Sequence, residues 1–159
     1  MMSIKSFAGL TLASTLSLAP QLASAATPAT LVSLDPALGQ LPESITSDAA
    51  GNLYISIGTS IGKVTPAGVV STFANLPVPG GSFTSGLKFG PDGYLYAATA
   101  GFTPDPAVAF VWRISPNGSQ VEEYAELDPN GFPNDLAFDE EGNLYVTDPF
   151  LAQIWKIDE

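Results

Sequence analysis

The amino-acid sequence predicts an all-β protein assembled from a repeated four-stranded unit, and three observations carry that prediction. Gly51-Asn52-Leu53-Tyr54-Ile55 recurs as Gly93-Tyr94-Leu95-Tyr96-Ala97 and as Gly142-Asn143-Leu144-Tyr145-Val146, at intervals of 42 and 49 residues. Each copy follows a turn sequence, Asp48-Ala49-Ala50-Gly51, Gly90-Pro91-Asp92-Gly93 or Asp139-Glu140-Glu141-Gly142, whose residue types suit tight hairpins. Beyond residue 25 no stretch shows the apolar spacing of an amphipathic helix, so helix is nearly excluded. Antiparallel strands in fours, repeating every 40 to 50 residues or so, are the arithmetic of β-propeller blades. Armadillo-type repeats of similar length are helical and do not fit.

The chain opens on a segment that precedes the fold. Met1 to Lys5 is a short positive start, Phe7 to Leu18 is uncharged and apolar, and Ala23-Ser24-Ala25 supplies the small residues a signal peptidase reads. The apolar run is shorter than the roughly 18–20 residues that span a bilayer. Residues 1–25 are therefore expected to be a signal peptide. The product, from Ala26, is expected to be secreted or periplasmic and not attached to a membrane.

The elements follow in order. Thr30 to Leu34 reads as a lone strand that closes a sheet, and a partial propeller is expected over residues 26–159. The first blade is expected near 42–74, with Ile45 on its innermost strand, Leu53-Tyr54-Ile55 on its second and Ile61 to Val64 on its third. Pro66-Ala67-Gly68 then turns into a closing strand, Val69 to Phe73. The second blade, near 84–125, repeats the plan through Leu87, Leu95-Tyr96, Val111 to Ile114, the turn Pro116-Asn117-Gly118 and Val121 to Tyr124. Phe102 to Ala107, with two prolines, is an insertion between its second and third strands, placed where loops cover a propeller mouth. The third blade, near 133–159, offers Leu136, Leu144-Tyr145 and Ile154 to Ile157, and no fourth strand. The Leu-Tyr pairs are expected to be core, because blades stack face to face.

The count is twelve strands, or about three blades, whereas propellers close with four to eight. The chain reads as half of a six-bladed ring, either a fragment or a unit that self-associates to complete the ring. Open blades leave sheet edges and apolar faces exposed.

Composition narrows the chemistry. The 159 residues carry 16 Asp plus Glu against 5 Lys plus Arg, for a net charge of −11, and contain neither His nor Cys. That charge argues against nucleic acid as a partner. Imidazole acid–base catalysis, a Ser-His-Asp triad, His-ligated zinc and thiol chemistry are all excluded. Carboxylate, amide and hydroxyl oxygens remain, and these suit hard cations.

Pro133-Asn134-Asp135-Leu136-Ala137-Phe138-Asp139 followed by Gly142-Asn143-Leu144-Tyr145-Val146-Thr147-Asp148 resembles the senescence marker protein/gluconolactonase (regucalcin-like) family. Strictosidine synthase and the NHL-repeat proteins are its structural relatives. The resemblance runs from about Leu31 to the end. It implies a divalent cation, calcium by preference, at the centre of a six-bladed ring. It further implies Glu43 and Asn134 as metal ligands from the first and third blades, with Asp135 and Ser85 toward the substrate. One carboxylate with neutral amides leaves charge on such a cation to polarise a carbonyl. Read from the residues alone, Glu43 is equally a solvated strand start and Pro-Asn-Asp a turn. The family's arginine two residues before the asparagine is here Phe132. The implied activity is metal-dependent hydrolysis of a lactone or related ester, incomplete in this chain. The alternative is a non-enzymatic NHL-type propeller that binds a protein, glycan or small ligand.

Overall fold

The computed structural model describes residues 26–102 and 108–158. The expected signal peptide, most of the Phe102–Ala107 insertion and Glu159 lie outside the described residues. Leu31–Glu159 forms one compact unit, and the account below concerns that unit. No helix among the described residues is long and apolar enough to cross a membrane.

Among the described residues eleven antiparallel strands form three sheets. The first holds β1 (Pro42–Ser47), β2 (Leu53–Ile57), β3 (Ser60–Val64) and β4 (Val70–Asn75). The second holds β5 (Ser82–Phe89), β6 (Leu95–Gly101), β7 (Ala109–Ile114) and β8 (Val121–Glu126). The third holds β9 (Leu136–Phe138), β10 (Leu144–Asp148) and β11 (Gln153–Ile157). Each sheet is a meander in chain order, as a propeller blade requires.

One expectation is corrected. Thr30 to Leu34 is not a strand, so eleven strands stand where twelve were counted. A strand exists only by pairing its amides and carbonyls with a neighbour, and this segment pairs with no strand among the described residues. It leads instead into a single 3-10 turn, Pro36–Leu38, where the Asp35 carboxylate accepts from Ala37 N at 2.9 Å and Gly39 closes the turn at φ 70°.

The repeated turns work as their residues dictate. Gly51, Gly93 and Gly142 sit at φ 80°, 80° and 92°, a left-handed conformation that glycine adopts without Cβ strain. The turn aspartates also anchor the repeated tyrosines. Tyr54, Tyr96 and Tyr145 donate their hydroxyls to Asp48, Asp92 and Asp139 at 3.1, 3.0 and 3.0 Å. The rings of Tyr54 and Tyr96 pack between sheets with their polar ends satisfied, and Tyr145 makes the same bond from a half-buried position on the third sheet.

Two apolar layers join the three sheets. Tyr54, Ile61, Leu87, Leu95 and Trp112 fill the first interface, and Tyr96, Val111, Leu136, Leu144 and Val146 the second. Burying each large aliphatic side chain contributes about 1.5–3 kcal/mol, so stacking is the main cohesion between blades. Polar ties supplement it: Leu87 N donates to the Ser44 hydroxyl at 3.1 Å, and Thr84 N to the Gly58 carbonyl at 2.8 Å. At Gly86 a Cβ would lie 2.7 Å from the Asn134 carbonyl oxygen. Only glycine allows the inner strands of the second and third blades to approach so closely.

Candidate functional site

The innermost strand of each blade carries the same irregularity. Pro42 pairs with Ile57 but Ile45 pairs with Ile55, and Thr84 pairs with Thr99 but Gly86 with Ala98. In the third blade Asn134 N donates to the Thr147 carbonyl at 2.8 Å, while Thr147 N donates to the Asp135 carbonyl at 3.0 Å. Each inner strand thus has an extra residue near its start. Such bulges re-aim side chains and recur beside binding sites. Glu43, Ser85 and Asn134 occupy the bulge in successive blades. A hydroxyl on the next strand stabilises it in two of them, with Ser56 Oγ accepting from Ser44 N at 2.8 Å and Thr147 Oγ1 from Asp135 N at 3.0 Å.

The equivalent positions do not have equivalent surroundings. Glu43 is exposed and lines a cleft of about 410 Å3 with Leu41, Phe83, Thr84, Phe102 and Phe132. Ser85 is buried, and its hydroxyl lies within hydrogen-bonding reach of the Pro133 and Ala98 carbonyls, tying the second blade to the third. Asn134 lines a different cleft, of about 300 Å3, with Thr147, Asp148, Pro149 and Ile154. Asp135 is exposed, and its carboxylate accepts from the Leu136 amide at 2.9 Å. The structure therefore places Glu43 and Asn134 at matching strand starts without bringing them into one cleft.

That arrangement bears on calcium. The ion takes six to eight oxygen ligands, in general terms, whereas no group of three or more acidic side chains among the described residues is placed to hold a metal. The residues present do not by themselves fit such an ion.

The Glu43 cleft has features that spacing along the chain did not disclose. Its wall holds three phenylalanines from separate segments, Phe83, Phe102 and Phe132, and Phe150 packs on the last of them. Ring centroids lie 5.1 Å apart for Phe83–Phe102, 5.4 Å for Phe83–Phe132, 5.5 Å for Phe102–Phe132 and 4.7 Å for Phe132–Phe150. Phe102 and Phe150 nonetheless remain exposed over most of their surface. Beside them Thr84 is 1% exposed, and its hydroxyl has no hydrogen-bond partner among the described residues. Burying a hydroxyl unpaired costs free energy, so native proteins rarely leave one without a reason.

Asp148 holds the wall in shape. It is buried at the end of β10, and its carboxylate accepts from Phe132 N at 2.9 Å, from Phe150 N and Leu151 N at 3.1 Å, and from the Trp155 indole at 3.2 Å. Burial works to raise the Asp148 carboxyl pKa, but these donors outweigh it and hold the group below its ordinary range. A Cβ on Gly131 would fall 2.1 Å from Asp148 Oδ2, so the loop before β9 can press against the carboxylate only with glycine there. The Asp148-Pro149-Phe150 run was the available signal for this arrangement: a carboxylate at a strand end followed by a turn.

Solved structures with the same arrangement of sheets place the fold. Virginiamycin B lyase from Staphylococcus aureus superposes with a TM-score of 0.54 at 19% identity, over 76% of this chain and 42% of that one. The extracellular domain of a hybrid two component system from B. thetaiotaomicron gives 0.58 at 16% identity, over 74% and 15%. A glucose dehydrogenase-type oxidoreductase from Thermus thermophilus gives 0.52 at 22% identity, over 69% and 37%. The fold is that of a β-propeller. No protein-family model and no curated protein matches the chain. The chain spans less than half the length of each of these neighbours. At such identities the likeness carries the architecture and not the activity.

Proposed function

We propose that this propeller chain is a ligand-binding module that takes a small molecule with an apolar, ring-like surface at its mouth. The observation that carries the reading is the Glu43 cleft. Phenylalanine rings supply stacking surface, and the exposed Glu43 carboxylate supplies a polar group in the same cleft. Apolar walls with a few placed polar groups are the usual composition of small-molecule sites, and about 410 Å3 is within their usual size. Nile red, an apolar dye, is a suitable first probe. Its binding should weaken about tenfold or more in Phe102→Ala and Phe132→Ala, whereas binding unchanged in both variants would refute the site.

A second reading keeps one specific observation in its favour. Glu43 and Asn134 hold the same bulged position two blades apart, as the gluconolactonase resemblance implies for cation ligands in a lactone or ester hydrolase. That reading needs further oxygen donors from outside the described residues. Calorimetric titration with calcium, on the wild type and on Glu43→Gln, tests it. Binding lost in the variant supports the ligand assignment, and binding that survives removes Glu43 from it. Export to the periplasm or the exterior is part of both readings and rests on the leader-like residues 1–25. Intact mass of the native product should begin at Ala26.

A further inference from the structure

The charges of this fold are sorted between its two ends. The mouth is the end where β1, β5 and β9 begin and where the Glu43 cleft opens, and the base is the end where the repeated Gly-x-Leu-Tyr turns lie. Beyond residue 25 the basic residues are Lys63, Lys88, Arg113 and Lys156. Each is the next-to-last residue of a strand that runs toward the base, β3, β5, β7 and β11 in turn. Three of them are engaged there. Arg113 pairs with Asp92 at 2.7 Å and with Glu122 at 3.1 Å, Lys156 pairs with Asp158 at 2.6 Å, and the Lys63 ammonium lies 5.3 Å from the centre of the Tyr54 ring. Among the described residues the mouth carries acidic side chains and no basic one: Glu43 near the start of β1, Glu126 at the end of β8, Asp128 and Asp135 between β8 and β9, and Asp148 at the end of β10.

The same bias holds inside the Glu43 cleft. Among the described residues Glu43 is the one ionisable side chain that lines it. Its carboxylate is exposed and forms no ion pair among those residues. Phe83, Phe102 and Phe132 lie mutually 5.1, 5.4 and 5.5 Å apart, a continuous apolar surface in the same cleft, and Phe102 keeps 71% of its surface exposed. An anion entering here meets a carboxylate and no counter-charge. A hard metal ion meets one carboxylate and phenyl walls, where calcium takes six to eight oxygens in general. A cation whose charge is covered by alkyl groups meets both things it can use, a carboxylate for its charge and ring faces whose electron-rich centres attract it.

We infer that this cleft, taken as the small-molecule site proposed above, receives an organic cation: an alkylated ammonium group at Glu43, carried on an aromatic or alkyl body that rests on the phenylalanines. The acidic mouth raises the local concentration of such a cation before contact. Glu43 then supplies the specific attraction, which is stronger beside apolar walls than in open water. The basic residues, held at the base, leave that attraction uncancelled.

Displacement of bound Nile red at neutral pH by two probes of one shape tests the charge. One is meta-hydroxyphenyltrimethylammonium, and the other is its uncharged counterpart, meta-tert-butylphenol. The cation should displace the dye at a concentration about tenfold lower than the phenol, as a carboxylate and ring faces together imply. High salt should narrow that gap. Glu43→Gln, a change at an exposed side chain, should erase the gap while Nile red still binds. Glu126→Gln, at the same end but outside the cleft, should leave most of it. Equal displacement by the two probes, with Nile red binding still sensitive to Phe102→Ala and Phe132→Ala, would overturn the cation and leave the site. An equal loss in Glu43→Gln and Glu126→Gln would overturn it too, by assigning the preference to net charge. Nile red binding that ignores both phenylalanine substitutions would instead remove the site itself, and the cation with it.

Discussion

The amide of Phe132 donates to the carboxylate of Asp148 across 2.9 Å, joining the loop before β9 to the end of β10. That bond, with the Phe150 amide on the same oxygen, sets two phenylalanines 4.7 Å apart at the propeller mouth. A buried acid, not an aromatic contact, therefore decides where the wall of the cleft stands.

Replacing Asp148 with Ala should leave three amides and an indole without their acceptor. Loss of charge-assisted hydrogen bonds to a buried group costs about 3–5 kcal/mol in comparable cases. Thermal denaturation should show a drop of many degrees, and Nile red affinity should fall further than in Phe150→Ala. A melting temperature within a degree or two of wild type would show that the loops hold themselves.

Thr84→Val separates stability from binding. The substitution removes a buried hydroxyl that has no partner among the described residues and keeps the β-branched shape that strands favour. The free protein should be unchanged or about 1 kcal/mol more stable. Affinity for a ligand that hydrogen-bonds this hydroxyl should fall, while Nile red, with its apolar body, should bind much as before. A destabilised variant would mean that the hydroxyl is satisfied in solution.

Gly131→Ala brings a methyl to 2.1 Å from Asp148 Oδ2. The carboxylate must move or the loop must retreat, at a cost of about 1–3 kcal/mol. Chemical denaturation should show a lowered midpoint with an unchanged slope. Combined with Asp148→Ala the two effects should be less than additive, because one carboxylate underlies both.

Acid should weaken the fold through the same carboxylates. The Asn52 side chain holds Asp48 below its ordinary pKa, the Asn143 side chain does so for Asp139, and the donors already named do so for Asp148 against the pull of burial. A folded-state pKa below the unfolded value means that the unfolded chain takes up protons first. The stabilisation is complete above the unfolded carboxylate range and is lost as pH falls through the folded values. Melting temperature should therefore be flat from pH 7 to about 5 and decline below about 4. In Asp148→Asn the decline should be shallower, and an equal slope would exclude Asp148 as a contributor.

Much of the architecture was legible without coordinates. Gly-x-Leu-Tyr at 42- and 49-residue intervals located β2, β6 and β10, because hairpin turns and two-residue alternation are local properties. Aligning the repeats also placed Glu43, Ser85 and Asn134 at one position, and the structure makes that position a bulge in all three blades. What the alignment lacked was their surroundings. Ser85 is buried by the third blade, and Glu43 and Asn134 open into separate clefts, since each depends on what the neighbouring sheet presents.

By itself the sequence determined the strands, the turns, the absence of imidazole and thiol chemistry and the acidic charge, all of which depend on residue type and near neighbours. Only the tertiary structure decided that Phe83, Phe102, Phe132 and Phe150 form one cluster of rings, that Thr84 is buried without a partner among the described residues and that Thr30 to Leu34 is not a strand. Those residues lie on loops and edges that meet through blade stacking. Stacking is driven by non-directional burial of apolar surface, so no periodicity along the chain records which loops it will bring together.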